Sequence, residues 1–241
     1  MIQTVIISGG TSGIGLAAAE ILAREGIRPI LLGRNEERGK AAQEKVPGSL
    51  YIPCDVTSGE DCRRAVKAAA AIGNIRGLVL SAGIYTEGLL ENTTDEEIKK
   101  LFDVNVFGAI NLTRETIPYL RSAKGSIVAV ASDAAIQGNV QASLYSATKG
   151  ALTAFIRSLA LELAVDGVRA NVVAPGDIDT PLLEKQLKEF GGDKKEMGEW
   201  YPLDRIGKAS EVGEVIAFLL SEKASFITGA IVPVDGGLTD W

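Results

Sequence analysis

The chain has 241 residues, 46% of them hydrophobic, a length that fits one large α/β domain with ample material for a core. Its formal net charge of −6 argues against nucleic acid or an anionic membrane as partner. No apolar run approaches the roughly 18 residues of a membrane-spanning helix, and Met1-Ile-Gln-Thr-Val lacks the basic start of a secretory signal, so a cytoplasmic location is expected. The absence of histidine excludes Ser-His-Asp hydrolysis and His-ligated zinc. Cys54 and Cys62 fit neither a disulfide framework nor a metal knuckle, so no metal is expected.

Strands and helices alternate along the chain. Thr4–Ile7 reads as a short buried strand, followed by the glycine turn Ser8-Gly-Gly-Thr-Ser-Gly-Ile-Gly15 and a helical pattern carried by Leu16, Ala19, Ile21, Leu22 and Ala23. In that order, small residues let the backbone approach a pyrophosphate, and the unpaired N–H groups of the first helical turn can hold its charge. The next elements are a strand over Pro29–Leu32, a helix over Asn35–Lys45, a strand over Leu50–Pro53, an alanine-rich helix over Asp61–Ala71 and a strand over Gly77–Ser81. A proline inside an inner strand loses a ladder bond, so Pro29 is expected at the strand's first residue. A long helix is predicted over Thr94–Leu120, bent at Pro118, then a strand over Gly125–Ala131 and a helix over Ser143–Val165. Strands over Val168–Val173 and Ala230–Val234, with a helix over Glu211–Leu220 between them, complete the pattern. Repeated βα units with apolar strands imply a doubly wound parallel sheet of about seven strands, flanked by helices on both faces, in a single Rossmann domain over 1–241.

The chemistry is signalled by Tyr145 and Lys149, one helical turn apart and thirteen residues after Ser132. A helix puts i and i+4 on one face, so the Lys149 ammonium is expected to favour the ionised phenol of Tyr145 and bring it toward neutral proton exchange. That spacing also occurs on solvated helix faces; the amino-terminal glycine turn gives it context.

With these residues in place the chain resembles the short-chain dehydrogenase/reductase family over essentially its whole length. The resemblance rests on Gly9-x-x-x-Gly13-x-Gly15, Asp55-Val56, Ser81-Ala-Gly83, Asn105 in Asp103-Val-Asn-Val106, then Ser132, Tyr145 and Lys149, and finally Pro175-Gly176 and Ile178-x-Thr180. Ser81 departs from the asparagine usual there. The resemblance implies hydride transfer between a nicotinamide and a carbon bearing oxygen, with Tyr145 as general acid/base, Ser132 bonding the substrate oxygen, Lys149 on the ribose hydroxyls and Asn105 holding a water beside it. It also implies that Gly9, Thr11, Ser12, Gly13, Ile14 and Gly15 cradle the cofactor, that Asp55, Val56, Ser81, Ala82 and Gly83 line its adenosine side, and that Pro175, Gly176, Ile178 and Thr180 close on the nicotinamide. At Leu31-Leu-Gly33-Arg34-Asn35 no acid is present to bind the ribose of NAD, and Arg34 can pair with a 2′-phosphate, so NADP(H) is expected over NAD(H), with Asn35 beside it.

Substrate identity is set in relatives by the segments matching Asp133–Gln141 and 177–202, the second expected to act as a lid. A free ketone, polyol or sugar is favoured. Carrier-linked 3-oxoacyl reduction is the alternative, weakened by Ser126 and Asp166 at places where a carrier would meet basic residues and partly supported by Lys124 and Arg121. A reading of another class is a non-catalytic NADP-sensing regulator. Relatives imply a homotetramer, assembled through the long helices and the tail Gly229–Gly237.

Overall fold

A computed structural model of the chain describes residues 2–241. Nine α-helices and nine strands are present among them. The first half comprises β1 (Gln3–Ser8), α1 (Gly13–Arg24), β2 (Arg28–Gly33), α2 (Glu36–Lys45), β3 (Leu50–Pro53), α3 (Gly59–Ile72), β4 (Asn74–Leu80), α4 (Asp95–Phe102) and α5 (Gly108–Ala123). The second comprises β5 (Ser126–Val130), α6 (Ser143–Ala164), β6 (Arg169–Pro175), β7 (Ile178–Asp179), α7 (Pro181–Phe190), α8 (Lys194–Gly198), β8 (Gly207–Lys208), α9 (Ala209–Leu220) and β9 (Ile231–Val234).

Seven strands form one parallel sheet in the order β3-β2-β1-β4-β5-β6-β9, and β7 pairs with β8 apart from it. The order reverses direction between β1 and β4, which leaves a crevice at the carboxyl ends of the strands. Side chains alternate across each strand. Ile6, Leu78, Ile127 and Val172 therefore pack under α3, α5 and α6 against Val66, Leu112 and Ile156, while Val5, Ile7, Val79 and Val128 pack under α1 and α9 against Leu22 and Ile216. No helix among the described residues is long and apolar enough to cross a membrane.

Helix starts follow local chemistry. Asn35 and Ser58 accept hydrogen bonds from the backbone N–H groups of Arg38 and Asp61, Thr94 and Glu97 form a reciprocal capping box, and Thr180 caps α7 with Pro181 behind it.

Two expectations are corrected. Pro29 is the second residue of β2, paired with Val5 of β1, and the ladder to β3 begins one residue later at Ile30; the proline thus has a single strand neighbour where its N–H is missing. The helix expected over Thr94–Leu120 is interrupted at Asp103–Phe107 by a π-turn, and α5 runs through Pro118 to Ala123. The extra residue in that turn points Asn105 into the protein, where it is 1% exposed.

Helix α9 meets α1 closely because Gly213 has no side chain: a Cβ there would stand 2.8 Å from Ile21 Cδ1 and 3.1 Å from the Ala18 nitrogen. Gly213→Ala is therefore expected to destabilise by about 1–3 kcal/mol through overpacking, against a helix-propensity gain of at most ~1 kcal/mol. Urea unfolding should show a lower midpoint at unchanged slope.

Candidate active site

The crevice begins at the turn after β1. Gly9 has φ +65°, and a Cβ on it would meet the Ser81 carbonyl oxygen at 2.8 Å and the Ala82 nitrogen at 2.9 Å, so this backbone passage admits only glycine. Gly15 is held as tightly, since its Cβ would lie 2.5 Å from the Gly9 carbonyl oxygen. Ser8 Oγ accepts hydrogen bonds from the N–H groups of Ser81 and Ala82, each at 3.2 Å, and donates to the Val79 carbonyl. It locks the ends of β1 and β4 together, a role the sequence reading missed; Ser81 is in turn tied down through its backbone N–H.

Before α1, Ser12 is extended and its side chain makes no cap bond, and no acidic residue occupies the first turn. The first-turn N–H groups of Gly13 and Ile14 thus have no intrahelical partner and form the positive end of the helix dipole. This cradle fits a pyrophosphate. At the far side Arg34 Nη1 lies 3.8 Å from Asp55 Oδ2, both side chains partly exposed, while Asp55 Oδ1 accepts from the backbone and hydroxyl of Thr57. The oxygen of the Asn35 side chain is committed to capping α2, with Arg38 N–H at 2.8 Å. Thr11 packs on Gly33, and Val56 is buried.

The end of the cleft that holds Ser132, Tyr145 and Lys149 is assembled by β5, the π-turn and α6. Asn105 Oδ1 accepts from Ile84 N–H at 2.9 Å, and its Nδ2 donates to the Ile84 carbonyl at 3.0 Å and to Thr148 Oγ1 at 3.1 Å. One amide thereby fastens the loop after β4 to the helix that carries Tyr145 and Lys149. Lys149 Nζ donates to the Val130 carbonyl at 2.9 Å and lies 5.6 Å from the centroid of the Tyr145 ring. Ser132 ends the segment after β5, its Oγ accepting from Ala134 N–H at 3.2 Å and donating to Asp133 Oδ1 at 2.7 Å.

The expected fall of the Tyr145 pKa is not what this arrangement gives. Burial pushes it above the usual phenol range, the charges of Asp133 and Asp177 push the same way, and only a hydrogen bond from the Ser132 hydroxyl, whose proton would have to leave Asp133, works against them. Burial also lowers the Lys149 ammonium to about 8. Spacing put the two residues on one face; the low-dielectric surroundings set their protonation.

Pro175, Gly176, Ile178 and Thr180 line the same cleft, of about 700 Å³, as Gly9, Gly13, Ser132, Tyr145 and Lys149. Among its described lining residues Lys149 is the one cation, against the carboxylates of Glu87, Asp133 and Asp177. Burial raises the pKa of Asp177, and the charges of Asp133 and Glu87 add to the shift. Glu87 accepts from Tyr85 Oη at 2.7 Å, and the Tyr85 ring meets Tyr145 edge-on with centroids 4.9 Å apart. Neither residue was singled out in the sequence, since both lie in an irregular loop without periodicity. The segment 177–202 folds into β7, α7 and α8 over the cleft, and Tyr85 also stacks edge-on against Phe190 of α7. Tyr201, buried, accepts from Asp177 N–H at 2.6 Å and donates to Asp177 Oδ2 at 2.7 Å, so it anchors this segment; Trp200 is exposed at the cleft.

The buried Lys149 has a measurable consequence. Below about pH 8 the ammonium is charged in both folded and unfolded chains, and the full penalty of burying it is present. Between that value and 10.5 the unfolded chain holds a proton that the folded chain lacks, so stability rises with pH across that window. Lys149→Met is expected to stabilise the nucleotide-free protein at pH 7 by about 2 kcal/mol, from a charge-burial cost of ~3 less ~1 for the bond to Val130. Denaturant melts at pH 7 and pH 10 should show the advantage shrinking at the higher pH; a variant less stable than the parent at pH 7 contradicts the assignment.

Comparisons with known proteins agree with this geometry. The family model described as enoyl-(acyl carrier protein) reductase matches residues 9–239. The human protein named 3-oxoacyl-[acyl-carrier-protein] reductase is 36% identical over 241 residues, covering 99% of this chain and 98% of its own. The ligand-free structure of Thermoplasma acidophilum aldohexose dehydrogenase superposes with a TM-score of 0.92 at 35% identity, covering 100% of this chain and 95% of that one. The structure of ElxO with NADP bound gives 0.93 at 27% identity, with full coverage of both chains. A glycine cradle at the strand-order reversal, a Ser-Tyr-Lys constellation beside it and likeness of this extent place the chain in the short-chain dehydrogenase/reductase family, whose members are oxidoreductases acting on alcohol and carbonyl groups.

Proposed function

We propose that the protein is an NADP(H)-dependent oxidoreductase that interconverts a ketone and a secondary alcohol, with Tyr145 as general acid/base and a free ketone, polyol or sugar as substrate. The observation that carries the reading is the convergence of Ser132, Tyr145 and Lys149 in one cleft with the glycine cradle. The nicotinamide, when bound, supplies or accepts the hydride. Gly13 and Ile14 hold the phosphates through their free N–H groups, and Lys149 holds the ribose hydroxyls. Ser132 fixes the substrate oxygen. Tyr145, protonated because burial raises its pKa, delivers a proton to the oxygen that becomes the alcohol. Lys149, near 8, exchanges protons in the neutral range, and Asn105 keeps α6 in register through Thr148, where it would also hold a water that links Lys149 to solvent. The segment 177–202 closes as a lid.

The NADP preference rests on Gly33, which brings no carboxylate to repel a 2′-phosphate, and on Arg34, whose pairing with Asp55 is long enough to leave the guanidinium available. Arg34→Ala should raise the KM for NADPH about ten- to a hundredfold, as for loss of a hydrogen bond to a charged group, with little change for NADH. Equal losses with both nucleotides would remove the preference.

Three carboxylates and the amides of Gln137, Asn139, Gln141 and Gln186 stand in the cleft beside the apolar Ile84, Val140, Leu182, Leu187 and Met197, and a hydroxyl-rich substrate would use these polar groups where an acyl chain would not. The second reading, reduction of a carrier-linked 3-oxoacyl group, has the name of the human relative in its favour, and the family model's description also names an acyl carrier protein, there with an enoyl group. Against it, Arg121 is paired with Asp166 at 2.7 Å, which neutralises a cation that an acidic carrier would need. NADPH oxidation with aldoses, ketoses, simple ketones and 3-oxoacyl thioesters separates the two readings. Tyr145→Phe should lower kcat by about 10²–10⁴ on the accepted substrate while NADPH still binds; NADPH binding with no turnover of any carbonyl supports the regulator instead.

A homotetramer is the assembly that accounts best for exposed apolar residues on two sides of the protein, Phe107 just before α5 with Leu161 and Val165 at the end of α6, and Phe218, Phe226 and Trp241 near α9 and β9. Sedimentation should give four chains per particle, and a monomer at working concentration refutes this.

A further inference from the structure

The hydroxyl of Ser132 offers one proton and two lone pairs. Its proton goes to Asp133 Oδ1, 2.7 Å away, and one lone pair receives Ala134 N–H at 3.2 Å. One lone pair is left, on the side of the cleft where the Tyr145 phenol also lies. The partner is well held: Asp133 is 8% exposed, and its other oxygen, Oδ2, accepts from Asn139 Nδ2 at 3.1 Å and Gln137 Nε2 at 3.4 Å. Asp133 thus cannot turn away from Ser132 without breaking further bonds, and as a carboxylate it can only accept.

We propose that Asp133 is a positioning residue that sets Ser132 as a hydrogen-bond acceptor toward the reacting oxygen, so that the site holds the alcohol more tightly than the carbonyl. The inference rests on the reading that Ser132 meets the substrate oxygen. An alcohol has both a proton and lone pairs: its O–H donates to the free lone pair of Ser132 while its oxygen accepts from the Tyr145 phenol. A carbonyl oxygen has lone pairs only. It also accepts from Tyr145, but it faces a lone pair of Ser132 unless the serine proton leaves Asp133. Reduction therefore requires breaking a 2.7 Å hydrogen bond that alcohol binding leaves intact. No covalent bond changes in this step; only the orientation of one hydroxyl does. Because the equilibrium between alcohol and carbonyl in solution is independent of the enzyme, the preference appears in the affinities of the bound forms and not in the ratio of kcat/KM values for the two directions.

The test uses glycerol and dihydroxyacetone, a hydroxyl-rich pair that differs by one hydride. Dissociation constants are read by ligand-observed NMR titration in the unreactive complexes, glycerol with the NADPH-loaded protein and dihydroxyacetone with the NADP⁺-loaded protein. In the parent protein glycerol should bind the more tightly. Asp133→Ala frees the serine proton and should shift the ratio of the two constants toward dihydroxyacetone by about tenfold, roughly the worth of one hydrogen bond. Asp133→Asn, which keeps the shape and one acceptor oxygen, should shift it less and guards against a misfolded alanine variant. In a Ser132→Ala background Asp133→Ala should leave the ratio unchanged, an outcome a merely structural role would not give. An unaltered ratio in Asp133→Ala, or the same shift with and without Ser132, overturns the proposal while leaving the reductase reading intact. Binding of neither compound, together with no turnover across the carbonyl panel, overturns both.

Discussion

Parallel pairing of seven strands sends every loop that follows a strand to the same edge of the sheet, and the reversal of order between β1 and β4 parts those loops. The crevice so formed is where the backbone of the glycine turn presses against Ser81 and Ala82, and its walls are held by Ser8. The candidate site lies along that line: the free N–H groups of α1 at one end, Ser132 at the end of β5, and Tyr145 and Lys149 on the helix that returns behind it. Loss of this close approach would separate the two halves of the site before any reactive side chain moved.

Asn105 fixes the remaining freedom. The π-turn at Asp103–Phe107 interrupts a helix that local propensity would carry onward, and it turns one amide inward to bind both backbone groups of Ile84 and the hydroxyl of Thr148. Thr148 lies next to Lys149 on α6, so the loop after β4 and the reactive helix share one anchor. A buried amide that satisfies three partners is worth more as a positioning device than as net stability, because the same groups would be hydrogen-bonded to water in the unfolded chain.

The site is electrostatically costly. A buried ammonium, a buried phenol with a raised pKa and three carboxylates share one cleft, and each would be more stable in water. Such groups persist where surrounding hydrogen bonds hold them: Lys149 on Val130, Asp177 on Tyr201, Glu87 on Tyr85, Asp133 on Ser132. The sheet and the two layers of apolar helix faces provide the stability against which this arrangement is maintained.

The alternation of apolar strands and helical periods and the glycine turn act within a few residues of chain, and from them the sequence by itself determined the seven strands of the main sheet and the order of the elements around them, but not β7, α7, α8 and β8 in the segment after β6. It also determined that Tyr145 and Lys149 share a helix face, because helical spacing alone sets that. What only the tertiary structure decided depends on groups far apart in sequence. The interruption before α5 follows from the pull of Ile84 and Thr148 on Asn105, not from Pro118. Pro29 is tolerated at the second position of β2 because β3 begins its ladder one residue later. The direction of the pKa shifts at Tyr145 and Lys149 came from burial, which i and i+4 spacing does not carry. The acidity of the cleft came from Glu87, Asp133 and Asp177, drawn from three separate loops; each is an ordinary surface-type residue in the sequence, and only the fold brings their charges within range of one another.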